Sequence, residues 1–411
     1  MGSTGTGAGR PAAVVVVGCL VAMFITAPGQ TFVISTFSAA LSETLGLSLE
    51  RLGLAYLIGT LASALCLTGV GAVADRIGPR RMIGVASAGL AGAGLALQSA
   101  GGFASLTLAF FLLRLTGQGA ISLASSHALA LRFDSTLGRM EGLRGGTVAL
   151  AIATVPQLSV ALIASHGWRF AAVALTASAA ALGLMASLFL IDRDPHPRAG
   201  EEKGGEGWSH SFDLAAARRT AVFWVLIALV AAQAAIVTAV HFHLLPILAE
   251  SGAGAAEAAR TYMSYAAAGL GATLLGGVLA DRWRPAPLLC ASMMLLGLGA
   301  ALLDSWTGGP GPHVAMGILG VAQGLGAATH GPTLARFFGR RHHGAIRGAA
   351  GTAAVAGSAV APWATAELME RSGSFATPLL MMGLLAVALG LLCGLVRSPR
   401  GRAGVGALPP T

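Results

Sequence analysis

The sequence predicts an all-α integral membrane protein with twelve transmembrane helices in two pseudo-symmetric six-helix halves. Hydrophobic residues make up 55% of the 411 residues and charged residues only 10%, with a mean hydropathy of +0.74. The apolar residues form long runs, and a set of polar motifs recurs about 205 residues later. Soluble domains carry about 25% charged residues, so this chain has too few to cover a water-facing surface. A soluble enzyme is therefore excluded.

Twelve apolar runs are long enough to be transmembrane helices, since crossing roughly 30 Å of hydrocarbon takes about 20 residues of helix. Six runs lie in the first half of the chain, near residues 13–40, 50–73, 82–100, 104–131, 142–165 and 169–191. Six more lie in the second half, near residues 220–249, 258–280, 285–304, 312–336, 346–368 and 374–396.

Polar segments divide the chain into parts. The stretch 192–219 is charged and glycine-rich, which is typical of a flexible linker. We therefore expect four parts: an N-terminal six-helix half at 1–191, a cytoplasmic linker at 192–219, a C-terminal six-helix half at 220–396 and a cytoplasmic tail at 397–411.

The lysines and arginines predict the orientation. With both termini in the cytoplasm, 21 of the 26 basic residues fall in cytoplasmic segments, Arg114 falls within a span, and four fall outside: Arg51, Arg169, Arg260 and Arg371. Positive residues concentrate in cytoplasmic loops of membrane proteins. We therefore expect a multi-pass protein of the bacterial inner membrane with both termini in the cytoplasm. The net charge of +9 comes from these loop clusters, so nucleic acid is not an expected partner.

The four cysteines predict neither a disulfide framework nor a metal site. Cys19, Cys66, Cys290 and Cys393 all lie within apolar runs at unrelated spacings, as small buried residues do. No cofactor is expected, and a monomer is expected to be sufficient for function.

Polar motifs repeat between the two halves. The pattern Gly-x-x-x-Asp-Arg occurs at 71–76, after the second span, and again at 277–282, after the eighth. A Gln-Gly pair occurs at 118–119 in the fourth span and at 323–324 in the tenth. Because these matches share nearly one offset, the two halves are expected to be homologous.

The loop at 71–81 resembles the motif between the second and third helices of major facilitator transporters. Six residues match that motif: Gly71, Asp75, Arg76, Gly78, Arg80 and Arg81. Its weaker second-half copy is matched by Gly277, Asp281 and Arg282. The resemblance implies the major facilitator fold, and for these residues a conformational latch on the outward-facing state. The alternative is a loop that only follows the positive-inside rule.

Other segments resemble the bacterial monocarboxylate and oxalate/formate carriers of that family. The similar segments are 167–169, 242–246 and 335–348, and 114–119 resembles the family's fourth-helix pattern, whose arginine is implicated in substrate or proton coupling. The resemblance implies a secondary transporter for a small carboxylate. The eighth span departs from this branch, because 261–271 contains no charged residue where such carriers place a basic one.

Arg114 is the leading candidate for a substrate contact. A charge at the bilayer centre costs at least about 2.5–3.5 kcal/mol on insertion scales, so it is typical of a functional site. At about 100° per residue, Gln118, Ser122 and Ser125 lie on the Arg114 face of the fourth span. No acidic residue falls near the centre of any span, so the expected partner of Arg114 is the carboxylate of an anionic substrate. The alternative is that Arg114 binds backbone carbonyls and serves packing.

Six further polar residues in the spans are candidate substrate contacts: Gln30, Thr31, Gln233, His243, Gln323 and His330. The first two follow a Pro28-Gly29 pair that is expected to interrupt the first helix and expose its backbone groups. Since the spans lack central carboxylates, the histidines are the groups left to carry a coupling proton. For each glutamine or threonine, the alternative is a hydrogen bond between helices.

Together these features predict a secondary active transporter for a small organic anion, working by alternating access with proton coupling or exchange. The first alternative is an efflux transporter for amphipathic, drug-like compounds. A membrane-embedded receptor or enzyme is the second alternative. It is disfavoured because the spans hold no paired carboxylates, no metal-binding box and no nucleophile beside a base. The expected partners are a small anionic molecule, the lipid bilayer and protons.

Overall fold

The computed structural model describes residues 11–133, 137–191, 212–305, 309–339 and 343–394. Within these ranges the chain is helical and contains no β-strand. It divides into two compact units, Met1–Glu201 and Glu202–Thr411. The expected tail at 397–411 and most of the expected linker at 192–219 lie outside the described residues.

The first unit contains six long helices in its described part, α1 to α6. Three are continuous: α2 (Leu49–Ile77), α3 (Pro79–Gln98) and α5 (Leu137–His166). α1 spans 12–45 in five pieces, Ala12–Phe24, Ala27–Gly29, Thr31–Ile34, Ser35–Phe37 and Ser38–Leu45. α4 consists of Phe103–Leu113, a π-helical segment at Arg114–Ile121, and Ser122–Arg132. α6 consists of Trp168–Met185 and a π-helical end at Ala186–Leu190.

The second unit also contains six long helices in its described part, preceded by one turn of helix at Leu214–Arg218. They are α7 (Ala221–Glu250), α8 (Ala255–Arg282), α9 (Pro285–Ser305), α10 (Gly311–Phe338), α11 (His343–Ser372) and α12 (Ala376–Gly394).

The hydropathy of these helices and the exposure of their apolar side chains are both typical of membrane-spanning helices. Within the described residues, nine helices are long and apolar enough to cross a membrane, and the other three long ones (α3, α10 and α11) are rich in glycine. Large apolar side chains point outward, for example Leu65 at 83% exposure and Leu275 at 67%. Water would penalise such a surface, whereas hydrocarbon does not. The protein is an all-α integral membrane protein, as predicted.

The same three helix pairs pack in both units. In the first unit α2 packs on α4, α3 on α6 and α1 on α5; in the second unit α8 packs on α10, α9 on α12 and α7 on α11. The repeat seen in the polar motifs therefore extends to the packing of the helices.

Glycines permit a very close approach of α8 and α10. A Cβ atom on Gly320 would overlap the backbone oxygen of Tyr265, and one on Gly324 would overlap that of Gly269. Small residues at four-residue spacing let the backbones of membrane helices meet in this way. The contact fixes the position of α10, which carries two of the predicted substrate contacts.

Candidate functional site

Arg114 lies in the first unit, where α4 becomes π-helical. Its side chain is only 5% exposed, and it is the one buried arginine among the side chains that the structure describes. Its Nη1 donates to the backbone oxygen of Gly29 at 3.4 Å, and its Cζ lies 5.2 Å from the centroid of the Tyr56 ring. In the described part of the chain Arg114 has no other partner, so its remaining N–H groups make no hydrogen bond there.

The break in α1 brings Gly29 to Arg114. The helix ends at Phe24, and the turn Ala27–Gly29 follows before it resumes, so the expected interruption at Pro28 is present. A Cβ atom on Gly29 would overlap the backbone oxygen of Leu113 and lie 3.0 Å from Gly117 Cα. Only glycine fits here, because the two backbones are in contact.

Tyr56 of α2 is a partner of Arg114 that the sequence analysis missed. It is fully buried, and its hydroxyl lies 2.7 Å from Thr31 Oγ1, one of the predicted contacts. Gln30, the predicted contact next to Thr31, donates from Nε2 to Thr26 Oγ1 at 3.4 Å. The available signal was the position of a rare tyrosine inside a span, because a buried tyrosine needs a partner for its hydroxyl.

Replacing Tyr56 by leucine is expected to weaken anion binding about fivefold, because a ring beneath a buried guanidinium contributes about 0.5–2 kcal/mol. Tyr56→Phe keeps the ring and removes the hydroxyl that contacts Thr31, so its affinity is expected to stay within about twofold of wild type. Calorimetric titration of the purified protein with a carboxylate measures both. Equal effects of the two substitutions would show that the hydroxyl, and not the ring, supports Arg114.

The π-helical segment changes the faces of α4 from those predicted. Its backbone hydrogen bonds span five residues instead of four, so the projection at about 100° per residue does not carry from Arg114 to Ser122 and Ser125. Ser125 is buried, as Arg114 is. Gln118 lies inside the segment, half-buried, and its Oε1 has no partner among the described residues. Beyond Gln118 the predicted polar face stays a prediction.

Arg144 is a second basic residue within the packing of the first unit. The charge count assigns it to the cytoplasmic side, at the start of the run predicted at 142–165; in the structure α5 begins earlier, at Leu137. Its Nη1 donates to Ser122 Oγ at 3.2 Å and to Met23 Sδ at 3.0 Å. Arg144 thus joins α5 to α4 and α1.

Three predicted contacts meet in the second unit, between α7 and α10. Gln233 donates from Nε2 to Gln323 Oε1 at 3.1 Å and to the backbone oxygen of Ala322 at 3.3 Å. His330 Nε2 lies 2.6 Å from Gln233 Oε1. A Cβ atom on Gly326 would overlap the Gln233 amide, so this glycine leaves the room that the amide occupies. The sequence indicates Gln233, Gln323 and His330 as separate candidates, whereas the structure shows them joined by hydrogen bonds.

His243 makes different contacts. Its side chain is fully buried, its Nε2 lies 2.8 Å from the backbone oxygen of Pro362, and its ring lies 5.3 Å from that of Phe375. The nearby His241 packs its ring against Tyr262 and Tyr265, at centroid distances of 5.3 and 4.6 Å. These contacts hold α7 against α8, α11 and the start of α12.

Comparison with known proteins identifies the family. A family model of the Major Facilitator Superfamily matches residues 19–362. The chain belongs to this superfamily. It is accordingly a multi-pass secondary transporter for a small-molecule substrate and not an enzyme.

Two solved structures have folds similar to that of this chain. Both are of a bacterial homolog to the human lysosomal transporter Spinster, one inward-facing and unoccupied, the other inward-facing and occupied. Each is 15% identical to this chain over 93% of it and 95% of the other chain, with TM-scores of 0.71 and 0.70. At this identity the likeness shows the fold alone. A comparison with curated proteins found no match.

The segment that resembles the superfamily motif lies at the junction of α2 and α3. Gly78 separates the two helices with a φ of +81°. Arg80 donates from Nη2 to the backbone oxygen of Leu188 at 3.2 Å, and Ser187 Oγ donates to the Arg80 oxygen at 2.9 Å. These bonds tie the start of α3 to the π-helical end of α6.

The other predicted latch residues make up the rest of the motif and its second copy. Gly71 and Gly277 are half-buried, whereas Arg76, Arg81 and Arg282 are exposed; the side chains of Asp75 and Asp281 lie outside the description. Sequence analysis missed Arg336, which donates from Nη1 to the backbone oxygen of Trp283 at 3.3 Å and so joins the end of α10 to the second copy. The latch role stays a prediction.

Proposed function

We propose that this transporter moves a small organic anion, a carboxylate, by alternating access with proton coupling or exchange. The observation that carries the proposal is the state of Arg114, which is buried and, among the described residues, makes one long hydrogen bond to a backbone oxygen and leaves its other N–H groups unused. A buried charge inside a membrane protein is expensive and is a mark of function. A carboxylate supplies the missing negative charge together with two acceptors, which suit a guanidinium.

Eight residues are the proposed substrate contacts: Arg114, Gln118, Gln30, Thr31, Gln233, His243, Gln323 and His330. Supporting this set, Gln118 follows Arg114 by four residues and has an amide oxygen without a partner in the described part of the chain. The hydrogen bonds among Gln233, Gln323 and His330 add a polar cluster in the second unit. If protons are coupled, the two histidines of the set are the groups proposed to carry them.

The proposal extends to the organisation of the chain. Its six-helix halves are 1–191 and 220–396, with the linker 192–219 and the tail 397–411 in the cytoplasm of a bacterium. The split of 21 basic residues to 4 supports this orientation. A monomer is proposed to be the working unit. The motif residues of both copies are proposed to stabilise the outward-facing state, and the Arg80 bonds to α6 support that role.

A thermal-unfolding screen of the purified protein tests the substrate class. The panel contains carboxylates, sugars, amino acids and neutral amphiphilic drugs. We expect carboxylates to raise the unfolding temperature, because a ligand at about 100 times its Kd stabilises the folded state by about 2.7 kcal/mol. Stabilisation by neutral amphiphiles with none by carboxylates would contradict the proposal and favour an efflux transporter.

A further inference from the structure

The orientation of the Gln233 amide is fixed by its neighbours. Its Nε2 faces three oxygens: the backbone oxygens of Ala322 at 3.3 Å and Gln323 at 3.5 Å, and Gln323 Oε1 at 3.1 Å. Carbonyl oxygens only accept hydrogen bonds, so the atom that faces them is the NH₂ group. The Gln233 atom that faces His330 is therefore the amide oxygen.

This orientation fixes the tautomer of His330. Because Gln233 Oε1 only accepts, the hydrogen lies on His330 Nε2, 2.6 Å away. In a neutral imidazole the other nitrogen, Nδ1, is then an acceptor with a free lone pair. The structure buries Nδ1 with no partner among the described residues.

Two other proposed substrate contacts also have a buried acceptor atom without a described partner. Gln118 Oε1 is a buried acceptor without a described partner. His243 Nε2 lies against the backbone oxygen of Pro362 and so carries the hydrogen, which leaves its buried Nδ1 as another unpaired acceptor. Buried polar groups are normally paired, and unpaired ones call for an explanation. A bare carboxylate offers acceptors only, so it satisfies none of these three atoms.

His330 is the best placed of the three to meet a ligand. The His243 ring is fully enclosed, whereas His330 is partly exposed and lies on the same helix as Gln323. The hydrogen-bond contact with Gln233 Oε1 also fixes which His330 nitrogen carries the hydrogen. Among the described residues, no such neighbour fixes the amide of Gln118. Although Nδ1 itself is buried, it has no donor among the described residues, and the partial exposure of His330 makes it the one of the three for which we consider a ligand donor.

We infer that the substrate carries a hydroxyl or N–H group besides its carboxylate, and that His330 Nδ1 accepts a hydrogen bond from it. The substrate class is then a hydroxycarboxylate or aminocarboxylate, and a plain monocarboxylate is a poor ligand. The inference rests on the proposed function, because that function makes His330 a substrate contact. A site built to bind a hydroxyl discriminates strongly against the analogue that lacks it.

Matched pairs of ligands test the inference. Lactate against propionate and malate against succinate differ by one hydroxyl group at equal charge, and alanine against propionate by one ammonium group, which also adds a positive charge. Calorimetric titration of the purified wild-type protein is expected to show at least about tenfold tighter binding for the donor-bearing member of a pair, within the discrimination that such sites reach. Equal affinity within every pair that binds would overturn the inference, and this comparison needs no variant.

Two substitutions locate the effect at Nδ1. His330→Gln places an amide near the position of Nε2, so it retains the bond to Gln233 and deletes the acceptor; its preference for the donor-bearing ligand is expected to disappear. His330→Asn keeps a polar atom near the position of Nδ1 and is expected to retain the preference. Ser292→Ala is the matched control, because Ser292 donates to the same Ala322 oxygen as Gln233 without touching His330. A preference that persists in His330→Gln would overturn the assignment to Nδ1.

The two levels of the proposal fail in different ways. If no carboxylate binds, or if carboxylates bind equally well to an Arg114→Gln variant, the proposed function falls and this inference falls with it. If carboxylates bind through Arg114 but the added hydroxyl or amine brings no gain, only the inference about His330 falls.

Discussion

Replacing Arg114 by glutamine is expected to weaken the binding of an anionic substrate by at least about 100-fold while the protein still folds. Hydrogen bonds to charged groups contribute about 1.5–3 kcal/mol each, and two from one guanidinium to one carboxylate reach this factor, since about 1.4 kcal/mol is tenfold. The fold is expected to tolerate the change because, within the ranges that the structure describes, Arg114 makes a single hydrogen bond, at 3.4 Å. Its buried charge also costs free energy in the folded state. Calorimetric titration with a carboxylate and thermal unfolding without ligand measure the two effects.

Two further variants make the Arg114 result specific. Arg114→Lys keeps the charge but not the planar pair of donors, so an intermediate loss of about tenfold is expected. Arg144→Gln is the matched control, because this arginine of the same unit is engaged with Ser122 and Met23; substrate affinity is expected to be unchanged. Wild-type affinity in Arg114→Gln would assign Arg114 to packing, through Gly29 and Tyr56.

Gly29→Ala is expected to destabilise the protein by about 3 kcal/mol, the upper part of the usual range for overpacking. Its Cβ atom would overlap the backbone oxygen of Leu113, and no side chain rotation relieves a clash with backbone. α1 and α4 must then separate, which also moves the Gly29 oxygen away from Arg114. A lower unfolding temperature in detergent, together with weaker carboxylate binding, is the expected result.

Gly92→Ala in α3 is the control for this substitution. A Cβ atom there meets nothing within 4 Å, and the position is helical, so stability is expected to be unchanged or slightly higher. Equal unfolding temperatures for the Gly29 and Gly92 variants would show that the contact between α1 and α4 does not contribute to stability.

The fold was predictable because it depends on signals that are local in the sequence. Apolar runs of about 20 residues indicate spans, and the repeated Gly-x-x-x-Asp-Arg pattern at 71–76 and 277–282 indicates two related halves. The interruption of α1 was predictable for the same reason, since Pro28 and Gly29 are adjacent. The positions of the halves, linker and tail, and the orientation of the termini, stay predictions.

The candidate site was predictable only residue by residue. Arg114 stands out because a charge within a span is rare, but nothing near it in the chain indicates Tyr56, which is 58 residues away. The cluster around Gln233 joins residues about 90 positions apart, and only the packing of α7 on α10 brings them together. A periodicity of about 100° per residue cannot anticipate a π-helical segment, because it assumes regular α-helix throughout.

The π-helical segment of α4 also marks a difference between the two halves. Its counterpart α10 is α-helical throughout. From Gly71 to Gln118 the first half has 47 positions, whereas from Gly277 to Gln323 the second has 46. The half with the longer spacing is therefore also the half whose fourth helix departs from α-helical geometry. The internal symmetry is broken at the helix that carries the buried Arg114, whereas α10 shares a polar cluster with α7.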